Sequence, residues 1–313
     1  MLEWMPYLFY NEIKGKSIPK LKNLLHTEVN KMKILAIGAH QDDNEFRVGG
    51  MASKWVKAGH EVRFLSLCNG CGGHHIMTPE ETTARRAGES AAVAEYLGIR
   101  YDVWDIDDCT LVADLATRNR LIRYIREFSP DLIISHRVND YHADHRAAGQ
   151  LVQDASYILT VPHTCPDVPA MRYMPVIIYN EDRFKNPDFD ATYVIGMDDE
   201  IETKLHIADL NVSQIYEWLP YTHGETAPDD PAERREWMKG MVITEETTDA
   251  EIMANKGHGY AVRFAKTAAR FRDKLIERYG EEKGRRIRYA EAFELCPYGG
   301  QPDDKFNEEL FGF

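Results

Sequence analysis

Cysteine is scarce in this chain, and the few residues present do not suggest pairing. Cys68, Cys71, Cys109, Cys165 and Cys296 are five among 313 residues, an odd number without the spacing of a small stapled scaffold. A disulfide framework is not expected, and a reducing compartment fits better. Positive charge is also in short supply, with 38 basic residues against 51 acidic ones and a formal net charge of −13. Nucleic-acid affinity comes largely from clustered Lys and Arg, so no nucleic-acid partner is expected. No apolar run approaches the ~20 residues of a membrane span, so no membrane partner is expected either. The opening stretch MLEWMPYLFYNEIKGKS has no extended apolar region followed by a small-residue cleavage site and does not read as a signal peptide. Internal repeats and low-complexity tracts are missing. These absences together suggest a cytoplasmic protein.

What the chain does have is apolar content, 43% of residues, enough for a sizeable core. Residues 1–31 read as an appended arm that could pack on the domain or on a neighbouring subunit, which leaves a homo-oligomer open. Residues 32–313 read as one domain. Strands are expected at 33–38, 60–68, 101–106, 131–136 and 175–179, and helices at about 46–58, 80–97, 114–128 and 145–159. TPEE at 78–81 is a helix start, with Thr78 as N-cap, Pro79 at the first helical position and Glu81 closing a capping box. Gly98 ends that helix. Strands alternating with helices predict an α/β fold, a Rossmann-like mostly parallel sheet covered by helices on both faces. The C-terminal half is more elaborate. The Pro-rich segment 162–175 reads as loop, 198–218 as helical, 223–233 as a polar loop, and 260–279 as one long amphipathic helix with Phe264, Ala268 and Phe271 facing the core.

In an open parallel sheet, ligands bind beyond the carboxyl ends of the strands. AHQDDNE, residues 39–45, occupies such an end directly after KILAIG, and HADH, residues 142–145, follows the strand DLIISH. Two clusters of imidazole and carboxylate are thus expected on one sheet edge. Histidine and carboxylate donors with open positions suit a hydrolytic zinc or a similar divalent metal. A spare carboxylate can take a proton from water, and a spare imidazole can stabilise an oxyanion or protonate a leaving group. Asp42, Asp43 and Asn44 would also serve as an ordinary N-capping turn, and HADH as a polar helix start. Their matching positions at two strand ends favour a site.

These motifs resemble those of the PIG-L (LmbE-like) deacetylases, zinc-dependent enzymes that remove N-acetyl groups, usually from N-acetylglucosaminyl compounds. AHQDDNE is similar to the family's A-H-P-D-D-x-E and HADH to its H-P-D-H. SLCNGCGG at 66–73, RAGESAAVAEYLG at 86–98 and YAEAFELCPYGG at 289–300 resemble further family segments. The resemblance implies His40, Asp43 and His145 as zinc ligands and Asp42 as general base. It implies His142 as the group that stabilises the intermediate or protonates the amine, with Asp144 as its partner, and Arg86 as a residue near the substrate. Gln41 and Ala143 stand where the family has prolines, so a less rigid turn is expected but no ligating atom is lost.

The expected function is a metal-dependent amidohydrolase that releases acetate and a free amine from a small N-acetylated sugar or glycoconjugate. The alternatives are an amidase on a larger acyl conjugate and a non-catalytic sugar- or metal-binding protein. A nucleotide-binding Rossmann reading is opposed by the missing G-x-G-x-x-G and by carboxylates that would repel a pyrophosphate. CNGC at 68–71 reads as a glycine turn. His163, His206, His223 and His258 read as solvated, although His223 could line the substrate mouth, and GRRIR at 284–288 reads as a solvated turn and strand edge.

Overall fold

The computed structural model describes residues 31–257 and 259–312. The arm proposed for the N-terminus, apart from Lys31, lies outside the described residues, as does His258. Seven strands form one sheet: β1 (Lys33–Gly38), β2 (Glu61–Cys68), β3 (Arg100–Ile106), β4 (Leu132–Ser135), β5 (Val176–Asn180), β6 (Tyr193–Gly196) and β7 (Ala290–Leu295). Their order is β3-β2-β1-β4-β5-β7-β6. The first five run parallel, whereas β7 is antiparallel to both β5 and β6. The chain winds outward from β1 to β3, then returns to place β4 on the other side of β1. That reversal sets the crevice where ligands are expected.

Four helices follow the first four strands: α1 (Asp43–Lys57), α2 (Pro79–Leu97), α3 (Leu115–Phe128) and α4 (Ala143–Ile158). Alternation along β1 sends Ile34 and Ala36 to one face, where Val48, Met51 and Trp55 of α1 and Val93 of α2 cover them. Leu35 and Ile37 point the other way, against Leu121, Ile122 and Ile125 of α3 and Leu151 and Val152 of α4. Buried on both faces, these strands read as continuous apolar runs. The start of α2 is as expected: Thr78 accepts from the Glu81 N–H at 3.2 Å, Glu81 accepts from the Thr78 N–H at 2.9 Å, and Gly98 ends the helix at φ 69°.

The remaining elements are α5 (Ile201–Leu210), a π-helical stretch at Ser213–Trp218, α6 (Leu219–His223), α7 (Pro231–Lys239), α8 (Asp249–Ala254), α9 (Tyr260–Arg270), α10 (Arg272–Tyr279), α11 (Glu281–Arg286) and α12 (Asp304–Phe311). Three expectations are corrected here. The helix foreseen at 198–218 changes to π winding after α5. The one foreseen at 260–279 breaks at Phe271, whose φ of −112° and ψ of 31° leave the helical region. GRRIR begins inside the short helix α11 instead of a turn. No described helix is long and apolar enough to cross a membrane.

Candidate metal centre

β1 and β4 are neighbours in register, with Ile34 beside Leu132 and Ala36 beside Ile134. Their carboxyl ends therefore present the two sequence clusters side by side. Beyond β1 the chain must turn back within a few residues to begin α1. Gly38 permits this, because a Cβ there would lie 2.8 Å from the Asp43 Cβ. The turn closes on itself when the His40 N–H donates to Asp43 Oδ2 at 2.9 Å. Buried Asn44 fastens it below, donating to the carbonyls of Ala36 and Leu65 at 3.3 and 3.2 Å. Asp42 takes the strained position, with φ 114°.

The structure brings His40 and His145 each close to Asp43. His40 Nδ1 is 3.7 Å from Asp43 Oδ2, and His145 Nε2 is 3.4 Å from Asp43 Oδ1. The other nitrogen of each ring is tethered: His40 Nε2 to Asp144 Oδ2 at 2.9 Å and His145 Nδ1 to Asp140 Oδ1 at 3.2 Å. A carboxylate on the far nitrogen fixes the tautomer and orientation of a ligating histidine. Each ring thus turns one nitrogen toward Asp43, and this donor set suits a divalent metal. The His40, His142 and His145 nitrogens also lie close enough together to share an ion.

Burial would raise the Asp43 carboxyl, but His145, His136 and His40 outweigh it and hold it well below the usual range. Asp42 behaves oppositely. Burial pushes it up to about 6 against the pull of Arg86, with Asp43 adding to the rise. Adjacent carboxylates with separated proton affinities can divide the work, one staying ionised while the other accepts and returns a proton. Burial and repulsion from His40 push His142 below its ordinary value.

Two residues named through the resemblance sit in buried networks. Asp144 is fully buried and places its carboxylate on His40, with the Cys109 N–H donating to it at 2.7 Å. His142 Nδ1 lies 3.8 Å from the same carboxylate and accepts the Asp144 backbone N–H at 3.2 Å, which caps α4. Arg86 is 2% exposed and donates to the Gln41 carbonyl, with Nη2 3.5 Å from Asp42 Oδ1. It lies beneath the turn, where it steadies Asp42 and has little access to substrate.

Sequence reasoning missed His136 and Asp140. His136 ends the β4 segment, stacks on His145 at 4.2 Å between ring centroids, and places Nε2 3.2 Å from both the Ala39 nitrogen and Asp43 Oδ2. Both residues were visible as polar groups beyond a strand on the expected sheet edge. Cys71 falls in none of the ligand groupings found among the described residues, whereas Cys68 lies with His40 and Asp108 in one of them. Burial pushes the Cys68 thiol far above its ordinary value, which disfavours it as a thiolate ligand.

Residues 35–156 match the family model of PIG-L, described as GlcNAc-PI de-N-acetylase. This segment, which carries both motifs, belongs to the PIG-L (LmbE-like) family. Over 148 residues it is 28% identical to the 4-oxalmesaconate hydratase of Pseudomonas putida, a match taking in 45% of this chain and 57% of that protein. The chain therefore spans little more than half of that curated relative. Its fold is similar to the N,N'-diacetylchitobiose deacetylase of Pyrococcus horikoshii, with a TM-score of 0.62, 20% identity, and coverage of 86% of this chain and 85% of that one. It is equally similar to the 4-carboxy-2-hydroxymuconate hydratase GalB of Pseudomonas putida, with a TM-score of 0.63, 20% identity, and coverage of 87% and 99%. At these identities the structural likenesses speak for the fold.

Both departures from the PIG-L motif prolines have structural replacements. Gln41 is buried and donates to the Asn69 carbonyl at 3.1 Å, while its own carbonyl accepts from Arg86. Hydrogen bonds thus restrain the turn that a pyrrolidine ring would stiffen. Ala143 is the first residue of α4, where proline is favoured but not required.

Proposed function

We propose that this chain is a metal-dependent N-deacetylase that hydrolyses the acetamide of a small N-acetylated compound. The observation that carries this reading is the pair of tethered histidines, His40 and His145, turned toward a shared Asp43. A divalent metal such as zinc, held by these three residues, would supply Lewis acidity and lower the pKa of water. Asp42, adjacent in sequence and raised toward neutrality, accepts the proton of the attacking water. His142, on the opposite motif, protonates the departing amine, and Asp144 holds His40 in orientation. Arg86 keeps the Asp42 turn in place.

The relationship to the Pseudomonas putida hydratase favours a second reading, in which the same residues direct water to a carbon–carbon double bond. Deacetylation and hydration share the need for an oriented water, a base and an acid. They differ in product.

Metal content per chain, measured by elemental analysis, is the first test. About one divalent ion per native chain, lost in His145→Ala, is expected; no stoichiometric ion after reconstitution would refute the reading. Acetate release from a panel of N-acetylated sugars and amino acids then tests deacetylation. Bleaching of a conjugated unsaturated acid without acetate release would select hydration.

A further inference from the structure

A cavity of about 470 Å³ opens one turn along α1 from Asp43, beginning at Phe46 and Arg47. Its size falls in the range of small-molecule sites. None of the candidate metal ligands lines it, but it adjoins them electrostatically: Arg263 on its wall feels the charge of Asp42, and Arg47 acts on His145. Phe46, Trp237, Tyr260 and Phe264 provide apolar surface.

The charge on this wall runs against the composition of the chain. Arg47, Arg183, Lys256, Arg263 and Lys266 all line it, although acidic residues outnumber basic ones 51 to 38 overall. Carboxylates on the wall are engaged by cations of their own. Glu181 pairs with Arg270 at 3.1 Å, Asp182 with Arg137 at 2.5 Å, and Glu291 with Lys204. Among the described residues, no carboxylate forms an ion pair with Arg47, Arg183 or Arg263, and the Arg263 guanidinium makes no hydrogen bond. Arg263 is exposed to solvent where it faces the cavity. Arg47 and Arg183 repel the Arg263 charge, and an anion between them would relieve that repulsion.

A separate observation points the same way. The Tyr260 side chain is 4% exposed and lines the cavity, and its hydroxyl has no hydrogen-bond partner among the described residues. A buried hydroxyl without a partner costs about 1–3 kcal/mol, so a ligand acceptor at this position would satisfy a donor the fold leaves open.

We propose that this cavity receives an anionic part of the substrate, a carboxylate or phosphate held by Arg47 and Arg263 with the Tyr260 hydroxyl donating to it, while the reacting bond lies toward Asp42. The inference rests on the reaction centre described above but not on which reaction occurs there. It predicts that a neutral N-acetylated sugar is a poor substrate and that an acidic small molecule is a good one.

The test is calorimetric titration of the metal-loaded full chain with succinate and with inorganic phosphate, and with neutral N-acetylglucosamine as control. Metal stays loaded in every arm, so anion bound by the metal contributes equally to wild type and variants. Arg263→Gln and Arg47→Gln are each expected to weaken the preferred anion by at least tenfold and to leave the neutral probe unchanged. The stronger of the two anions identifies carboxylate or phosphate as the natural group. If an arginine variant fails to fold, Tyr260→Phe, which removes one oxygen atom, should still weaken anion binding by several-fold. Equal anion affinity in wild type and folded variants, or no anion binding at all, overturns the proposal. Turnover of a neutral N-acetylated sugar without anion binding would refute this inference and spare the deacetylase reading. Anion binding lost in the variants, with no acetate released from any acidic or neutral N-acetyl compound, would support this inference and refute deacetylation.

Discussion

Asp42 has a backbone φ of 114°, a region that residues with a side chain rarely occupy. Such strain persists only where the surroundings impose it. Here Glu45 accepts the Asp42 N–H at 3.1 Å, the Asp42 carbonyl accepts from Phe46 at 2.9 Å, and Arg86 grips the preceding carbonyl. The result sets the Asp42 carboxylate 3.5 Å from Arg86 while its neighbour Asp43 starts the helix. Replacing Asp42 with Asn preserves the shape and removes the proton acceptor. Turnover of any substrate the protein accepts should fall by about 10²–10⁴, with metal content unchanged. Full activity in Asp42→Asn would end its assignment as base. Loss of metal in the same variant would instead make it a ligand.

At the scale of elements, burial shapes His60, at the α1–β2 junction. It is 5% exposed, and its Nδ1 accepts the Met32 N–H at 3.2 Å. Burial pushes its pKa below the ordinary 6.5. A histidine held neutral by the fold contributes stability that is present above pH 6.5 and lost as pH falls from there toward the folded value. His60→Gln should therefore be less stable than wild type at pH 7.5, and the gap should narrow toward pH 5.5, by at most about 1.4 kcal/mol per pH unit. Urea denaturation at several pH values measures it, and a gap that widens on acidification would contradict the argument. The elements around this junction were readable because their signals are local. β1 is apolar after Lys33 and β2 largely so after Arg63, and Thr78, Pro79 and Glu81 announce α2 before any packing is known. β7 was not read as a strand because Glu291 and Glu294 interrupt AEAFEL, and it takes a buried lysine from α5 and two N–H groups of α1 to explain an acid at position 291. The break at Phe271 was equally hidden, since helical periodicity runs through it. The same divide holds at the centre. The strand pattern placed the two motifs on one sheet edge, but His40, Asp43 and His145 were named as ligands only through the family resemblance. The tether of Asp144 to His40 and of Asp140 to His145 depends on how the two loops fold against each other, which spacing does not report.

For the molecule as a whole, the Lys204–Glu291 pair joins regions far apart in sequence. Lys204 of α5 has a fully buried side-chain ammonium, and burial pushes its pKa down despite Glu291. Glu291 of β7 also accepts the backbone N–H groups of Gly50 and Met51 inside α1, both at 2.9 Å. Gly50 makes that approach possible, since a Cβ there would lie 3.0 Å from Glu291 Oε1. One carboxylate thus locks α1, which carries Asp43 at its start and Arg47 on the cavity wall, to the antiparallel edge of the sheet. Removing one partner of a buried pair leaves the other charge uncompensated, at a cost of about 3–5 kcal/mol. Lys204→Met should lose that much stability in denaturant unfolding, and Lys204→Met combined with Glu291→Gln should recover part of it because the stranded charge is gone. Additive losses in the double variant would mean that Glu291 acts through the α1 backbone alone. A loss under about 1 kcal/mol in Lys204→Met would mean that the ammonium is not needed to hold α1 in place.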